Sequence, residues 1–310
     1  MSSRIAFAGS PPAAATVLRA LVAAGHDVAV VISQPDRPKG RGGKTVPTAV
    51  SIAASELRLA LRRPASINDP ATLDELDALR VAAVCVVGFG QILRERLLTT
   101  WPCLNVHFSI LPAYRGAAPV ERALIDGCTE TGVTIMRMDA GLDTGPINAI
   151  GRLDIGPDED AGSLLDRLAV GGGALLNQAL VDLAAGALTL YDQPDEGVSL
   201  APKILEADIA LDFTDAPATV ANRIRALSPH IGAACLIDGQ RFKLWAARPA
   251  DVDDLQPGVI RVEDGRMLVP CREGAIDVLE LQPPNRSRMR AADFLRGWRG
   301  GFGLGQIPGQ

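Results

Sequence analysis

Histidine occurs three times in 310 residues and cysteine five times. The cysteines, Cys85, Cys103, Cys128, Cys235 and Cys271, are odd in number and scattered, with no C-x-x-C pair among them. That spacing argues against a disulfide framework and against a zinc site, so no metal is expected. Positive charge is also short. The 31 Lys and Arg stand against 36 Asp and Glu, a formal charge of -5, which gives no global sign of a nucleic-acid binder and leaves room only for local RNA contacts. No apolar run reaches membrane-spanning length and no signal peptide opens the chain, which favours the cytoplasm and no membrane partner. The G-x-G-x-x-G fingerprint is missing, with Gly9 alone after the first apolar run, so a dinucleotide site is weak. What is plentiful is apolar. Hydrophobic residues make up 47% of the chain, enough for a sizeable core, and the length allows about two domains at ~100 to 200 residues each.

Residues 4–8 read as a short buried strand, and Gly9-Ser10-Pro11-Pro12 turns into an Ala- and Leu-rich helix that ends near Gly25. Residues 28–32 give the next strand, 48–61 a helix, 71–79 another, and 81–87 a near-continuous apolar strand of the kind buried on both faces. This alternation predicts a doubly wound, Rossmann-like α/β domain. Residues 147–153 supply a further strand and 160–183 a long helix, weakly interrupted by Gly171-Gly172-Gly173, which lie inside the helical pattern and so suit no phosphate. Past residue 206 the pattern changes to short strands at 233–237, 241–246, 258–262, 267–270 and 275–281, with turns at Asp238-Gly239 and Asp264-Gly265. Helical stretches at 217–227 and 291–298 flank them, and the spacing suggests a small barrel. The expected division is a catalytic domain over 1–189, a polar linker over 190–206 and a second domain over 207–310.

The chemistry concentrates between Cys103 and Ile147. An apolar run ending in Leu104 continues as Asn105-Val106-His107, and the two-residue spacing sends an amide and an imidazole to one face at a strand's carboxyl end. Pro112 and Gly116 then break the strand before a helix begins, the kind of place where α/β sheets bind ligands. Residues 133–138 alternate like another strand, followed by the Gly-bounded loop Asp139-Ala140-Gly141-Leu142-Asp143-Thr144-Gly145. Asp143 is the natural partner for His107. A carboxylate raises an imidazole's basicity and fixes its tautomer, while an amide donates to an oxygen that gains charge. Ser109 has no G-x-S-x-G elbow around it, so these residues suit direct attack by a substrate amine. Against this stands a plainer reading, in which Asn105 and His107 only satisfy loop backbone.

Asn105-x-His107 with Ser109-Ile110-Leu111-Pro112, then Tyr114-Arg115-Gly116-Ala117-Ala118-Pro119, Glu130-Thr131-Gly132-Val133-Thr134 and Gly141-Leu142-Asp143-Thr144-Gly145 resembles the formyltransferases that use 10-formyltetrahydrofolate. The resemblance runs from Arg4 to about Gly297 and implies an OB-like barrel for the C-terminal domain. It implies a catalytic triad of Asn105, His107 and Asp143, with Asn105 and His107 stabilising the oxygen that gains charge and Asp143 supporting His107. It further implies tetrahydrofolate contacts from Ser109, Ile110, Leu111 and Pro112. Phe89 and Gly90 resemble part of the family's folate-lining loop, although by themselves they read as an ordinary strand-to-helix turn. Phe108 stands where the family commonly has glycine, and a ring there is expected to reshape the pocket wall.

The loop Gln34 to Lys44 carries Arg37, Lys39, Arg41 and Lys44 against one acid, Asp36. Its prolines and glycines argue against a stable strand or helix, and composition alone suggests a solvated surface loop. It resembles the insertion loop of the tRNA-acting members of the family, which implies phosphate contacts with the acceptor arm of initiator methionyl-tRNA. Arg286, Arg288, Arg290, Arg296 and Arg299 form a second local positive patch, either RNA-facing or simply solubilising. No obligate protein partner is indicated. Two other readings stay open: a formyltransferase or folate hydrolase acting on a small molecule, and a non-catalytic RNA-binding protein.

Overall fold

The computed structural model describes residues 3–39, 44–252 and 254–305. The chain divides into two compact units, one made of Met1–Gly116, Thr131–Leu153 and Leu165–Leu200, the other of Ala117–Glu130, Asp154–Leu164 and Ala201–Gln310. The polypeptide therefore passes from one unit to the other repeatedly, not at a single linker.

The body of the first unit is a sheet of Arg4–Gly9 (β1), Asp27–Ile32 (β2), Leu61–Arg62 (β3), Ala83–Val87 (β4), Cys103–His107 (β5), Glu130–Arg137 (β6) and Ile147–Asp154 (β7). The strand order is β7-β6-β5-β4-β1-β2-β3. β1 to β5 run parallel, and β6 lies antiparallel to β5. β4 is buried at every position, as a strand covered on both faces must be. Helices Pro12–Ala23 (α1), Ala49–Glu56 (α2), Pro70–Leu79 (α3) and Glu95–Thr100 (α4) connect the parallel strands. From β1 the chain moves outward to β2 and β3, then returns to the opposite side of β1 as β4. The strand order thus reverses between β1 and β4, and the carboxyl ends of β1, β4 and β5 open the crevice that such a reversal creates.

The helix expected over 48–61 is shorter. Thr48 caps it by accepting from the Ser51 amide, it stops at Glu56, and Arg58 adopts φ +57°. Leu61 and Arg62 then pair with Val31 and Ile32. The basic loop also differs: Arg37–Lys39 and Lys44–Val46 pair as short antiparallel strands despite Pro38. Pro38 is tolerated because a two-stranded ribbon is all edge. The side chains of Arg37, Lys39 and Lys44, and the whole of Arg41, lie outside the described residues. The long helix Ala161–Ala184 runs unbroken through its three glycines. A Cβ at Gly172 would come within 2.6 Å of Val106 Cγ1, 3.2 Å of Val133 Cγ2 and 3.8 Å of the Phe108 ring. Glycine is there because helix and sheet touch.

The second unit contains the helix Pro119–Ile125 (α5) and a separate antiparallel sheet. Its strands are Ala233–Ile237 (β8), Gln240–Ala250 (β9), Arg261–Glu263 (β10), Arg266–Pro270 (β11), Ala275–Gln282 (β12), Met289–Arg290 (β13) and Leu304–Gly305 (β14). They follow the order β10-β11-β12-β9-β8-β14, with β13 on β12, a half-barrel of OB-like character. The β8–β9 and β10–β11 turns carry positive φ at both central residues, Asp238 (+50°) with Gly239 (+71°) and Asp264 (+51°) with Gly265 (+75°), as hairpin turns require. Helices Pro217–Ala226 and Ala291–Gly297 flank this sheet. Its core places Phe242 edge-on to Phe294 and Trp298 at 5.5 and 5.7 Å between ring centres. In the arginine patch, Arg288 pairs with Glu280 and lies 5.3 Å from the Trp245 ring centre, while Arg296 pairs with Asp293.

Candidate active site

β5 carries the two side chains on which the site depends. Asn105 sits between Val86 of β4 and Met136 of β6, and His107 lies opposite Thr134. Both are nearly buried, at 8% and 5% exposure. The side chain of Asn105 has no hydrogen-bond partner among the described residues. An amide that no protein group engages keeps both its donors and its acceptor for a ligand.

His107 is held from both sides. Its Nε2 lies 2.9 Å from the carbonyl oxygen of Tyr114, and its Nδ1 lies 3.7 Å from Asp143 Oδ2. A carbonyl oxygen only accepts, so Nε2 carries the proton in that bond and Nδ1 is the nitrogen left facing the carboxylate. Asp143 Oδ2 accepts from the Gly116 amide at 2.9 Å. His107, two residues along the strand from Asn105, and Asp143 are therefore brought together, with one refinement. Nε2–H is already used, so the free donor in this arrangement is Asn105, while Nδ1 and Asp143 form a place where a proton can be received.

The Asp143 loop is shaped by close approaches. A Cβ at Gly145 would stand 1.9 Å from the Arg137 carbonyl oxygen, and one at Gly141 would stand 2.0 Å from Thr144 Oγ1. Thr144 Oγ1 donates to Asp139 Oδ1 at 2.8 Å, which also accepts from the Gly141 amide at 3.0 Å. Asp143 itself takes φ +52°.

Ser109 is fully buried, and its Oγ donates to the Ala113 carbonyl at 2.6 Å. Its own carbonyl accepts from Thr134 Oγ1 at 2.7 Å, and Thr134 Oγ1 accepts in turn from the Leu111 amide at 3.1 Å. The segment leading to the cis Leu111–Pro112 bond is thus a rigid turn, with Leu111 and Pro112 buried and Ile110 half-buried. Phe89 is placed in the hydrophobic core at 3% exposure, where its ring packs with the cluster of Ile67, Leu73 and Leu93. Only its main chain faces outward, and its carbonyl accepts from Gln34 Nε2 at 3.0 Å. Gly90 is exposed with φ +77°. Phe108 does not stand between His107 and the Ser109 turn, since its ring lies toward Gly172 of the long helix. Two cysteines near the site are inert: burial pushes the Cys103 thiol up to about 12 and Cys85 higher still.

Several residues of this network carry no signal in the sequence. Gln193, in the stretch expected to be a linker, donates through Nε2 to the carbonyls of Asp143 and Gly145, both at 2.8 Å. Arg115 donates to Gln193 Oε1 through Nε at 3.1 Å and Nη2 at 2.6 Å. Ser199 Oγ accepts from the Tyr114 amide at 2.9 Å. Among the described residues, no cluster of His, Cys, Asp and Glu is arranged to hold a metal ion, and no helix is long and apolar enough to cross a membrane.

Residues 3–180 match the family described as Formyl transferase, and residues 203–299 match Formyl transferase, C-terminal domain. The methionyl-tRNA formyltransferase of Geobacter sulfurreducens is 42% identical over 299 residues, covering 96% of this chain and 94% of its own. That of Roseobacter denitrificans is 41% identical over 296 residues, covering 95% of each chain. Among solved structures, an N-formyltransferase from Helicobacter canadensis, in complex with folinic acid and dTDP-3-aminofucose, superposes with a TM-score of 0.68 at 17% identity. The match covers 90% of this chain and 99% of that one. At that identity the likeness concerns the fold.

Proposed function

The chain belongs to the formyl transferase family, and from that premise we propose that it transfers the formyl group of 10-formyltetrahydrofolate to the amino group of methionine on initiator methionyl-tRNA, for translation initiation. Relatives about 40% identical over nearly the whole chain carry the name methionyl-tRNA formyltransferase, and a role in translation initiation fits a cytoplasmic enzyme. The observation that carries the reading is the end of β5, where an amide that no protein group engages stands two residues from an imidazole backed by a carboxylate.

The formyl donor supplies an electrophilic carbon bound to nitrogen, and the residues present suit that group. Asn105 donates to the oxygen on which negative charge grows. His107 Nδ1, beside Asp143, receives the proton that the attacking amine must lose, and the same pair returns a proton to the departing nitrogen. Ser109 takes no part as a nucleophile, since its hydroxyl is committed to Ala113. Ile110, Gly90 and the main chain of Phe89 hold the folate, with Ser109, Leu111 and Pro112 fixing the turn behind them. The catalytic residues fall within 1–189, and 207–310 serves tRNA capture, with 190–206 between. Arg37, Lys39, Arg41 and Lys44 attract the acceptor-arm phosphates. Replacing these four by serine should raise KM for the tRNA and flatten its salt dependence, leaving KM for the folate unchanged.

The deciding experiment follows labelled formyl from 10-formyltetrahydrofolate into charged initiator methionyl-tRNA, beside elongator methionyl-tRNA and free methionine. Transfer to the initiator alone is expected. Transfer to none of them, in folded protein that binds folate, would overturn the reading in favour of a small-molecule acceptor.

A further inference from the structure

Between Tyr191 and Val198 every residue is exposed except Gln193. That one side chain is used at both ends. Its Nε2 bridges the carbonyls of Asp143 and Gly145, and its Oε1 receives two donors from the Arg115 guanidinium. The four bonds leave the amide a single orientation, because carbonyls accept and guanidinium groups donate.

The bonds close a ring around Asp143. Its carboxylate is held by the amide of Gly116, and its main-chain carbonyl is held, through Gln193, by the side chain of Arg115. Both ends of Asp143 thus hang from the same dipeptide. Asp143 takes φ +52°, an uncommon conformation for a non-glycine residue though one that Asp tolerates, and the two holds fix it there. The carboxylate lies 3.7 Å from His107 Nδ1, so a loop relaxed by an ångström would change that spacing by a large fraction.

We infer that Gln193 is a positioning residue for the transfer reaction, setting the height of the Asp143 carboxylate against His107. The inference rests on the formyl-transfer reading given above, but concerns a coupling that exists whatever the acceptor. A surface strut without this role would contribute to stability alone.

Two measurements on the full chain test it. In steady-state formyl transfer, Gln193→Ala should lower kcat on the order of 10- to 100-fold, the scale expected for misplacing a catalytic group by about an ångström. KM for folate and tRNA should change little. Gln193→Glu keeps the acceptor for Arg115 and loses only the two donors, so it should fold as well as the parent and lose a similar factor. In an Asp143→Asn background, Gln193→Ala should add almost nothing, because residues that act through one another are not additive. A Gln193→Glu protein with parental kcat, or an equal loss in both backgrounds, would overturn the assignment. The second measurement records the imidazole resonances of the three histidines at one fixed pH. Gln193→Ala should move the His107 ring shifts toward those of Asp143→Asn and leave His26 and His230 in place. An unmoved His107 would refute the coupling, and this readout stands even if the wild-type protein formylates no tRNA.

Discussion

Asn105→Ala removes the side-chain amide near the end of β5 that no protein group engages. Because the lost donor acts on charge that grows only in the transition state, turnover should fall ~100- to 1000-fold with little change in KM or in the unfolding midpoint. Single-turnover formyl transfer measures this directly. Ser109→Ala makes the opposite case. Its hydroxyl serves the turn, through Ala113, so the variant should lose about 1 to 2 kcal/mol in urea unfolding while keeping most of its turnover. A collapse of activity in stable protein would reinstate Ser109 as a reacting group. Alternation in a strand and a Gly-bounded loop made Asn105, His107 and Asp143 candidates in the sequence, and the resemblance to the formyltransferases singled them out over a plain structural reading. Gln193 was not legible. A glutamine in a polar stretch looks the same whether it points to water or to the Asp143 carbonyl, and only the folded loop distinguishes them. Phe108 shows the reverse limit, since its position between two motifs in the chain says nothing about the face to which its ring turns.

Among the elements, the hairpins of the second sheet were readable because Asp-Gly favours the positive φ that such turns demand. The two-residue β3 and the short α4 were missed, having too few residues to show a period. The glycines of the long helix look like a weakness in the sequence and are a contact in the fold. Gly172→Ala would press a methyl group against Val106 and Val133, at 2.6 and 3.2 Å, and should cost about 1 to 3 kcal/mol in chemical denaturation. Glu121, in α5, offers a test with a sign. Burial pushes its carboxyl up, against the opposing pull of His230 and Arg122. The native state therefore holds that proton to higher pH than the unfolded chain does, and the stability it contributes is present in acid and lost as pH rises through the native value. Glu121→Gln should raise the unfolding temperature in mildly alkaline buffer and change it little in acid. Calorimetry at both ends of the range checks the direction.

At the scale of the molecule, an acidic chain can serve an anionic partner if its cations are gathered locally, and the sequence gathers them twice, at Arg37 to Lys44 and at Arg286 to Arg299. The two-part composition was legible from the change of periodicity past residue 206. The interleaving of the compact units was not, because assignment of Ala117–Glu130 and Asp154–Leu164 to the second unit depends on contacts distant in sequence. A fragment beginning at Ala201 would lack α5, which packs against Pro217–Ala226 in the second unit. It should unfold with a broad transition of low cooperativity, and supplying residues 117–164 as a separate fragment should sharpen it.

The same interleaving bears on how the protein is born. Synthesis runs from one end, so α5 emerges on the ribosome well before Pro217–Ala226, the helix it packs against. During that interval the helix that carries Val120, Ala123 and Leu124, all buried in the finished protein, lacks this packing partner. Rare codons placed between positions 126 and 217 would lengthen the wait, and the fraction of nascent chains captured by chaperones should rise with it.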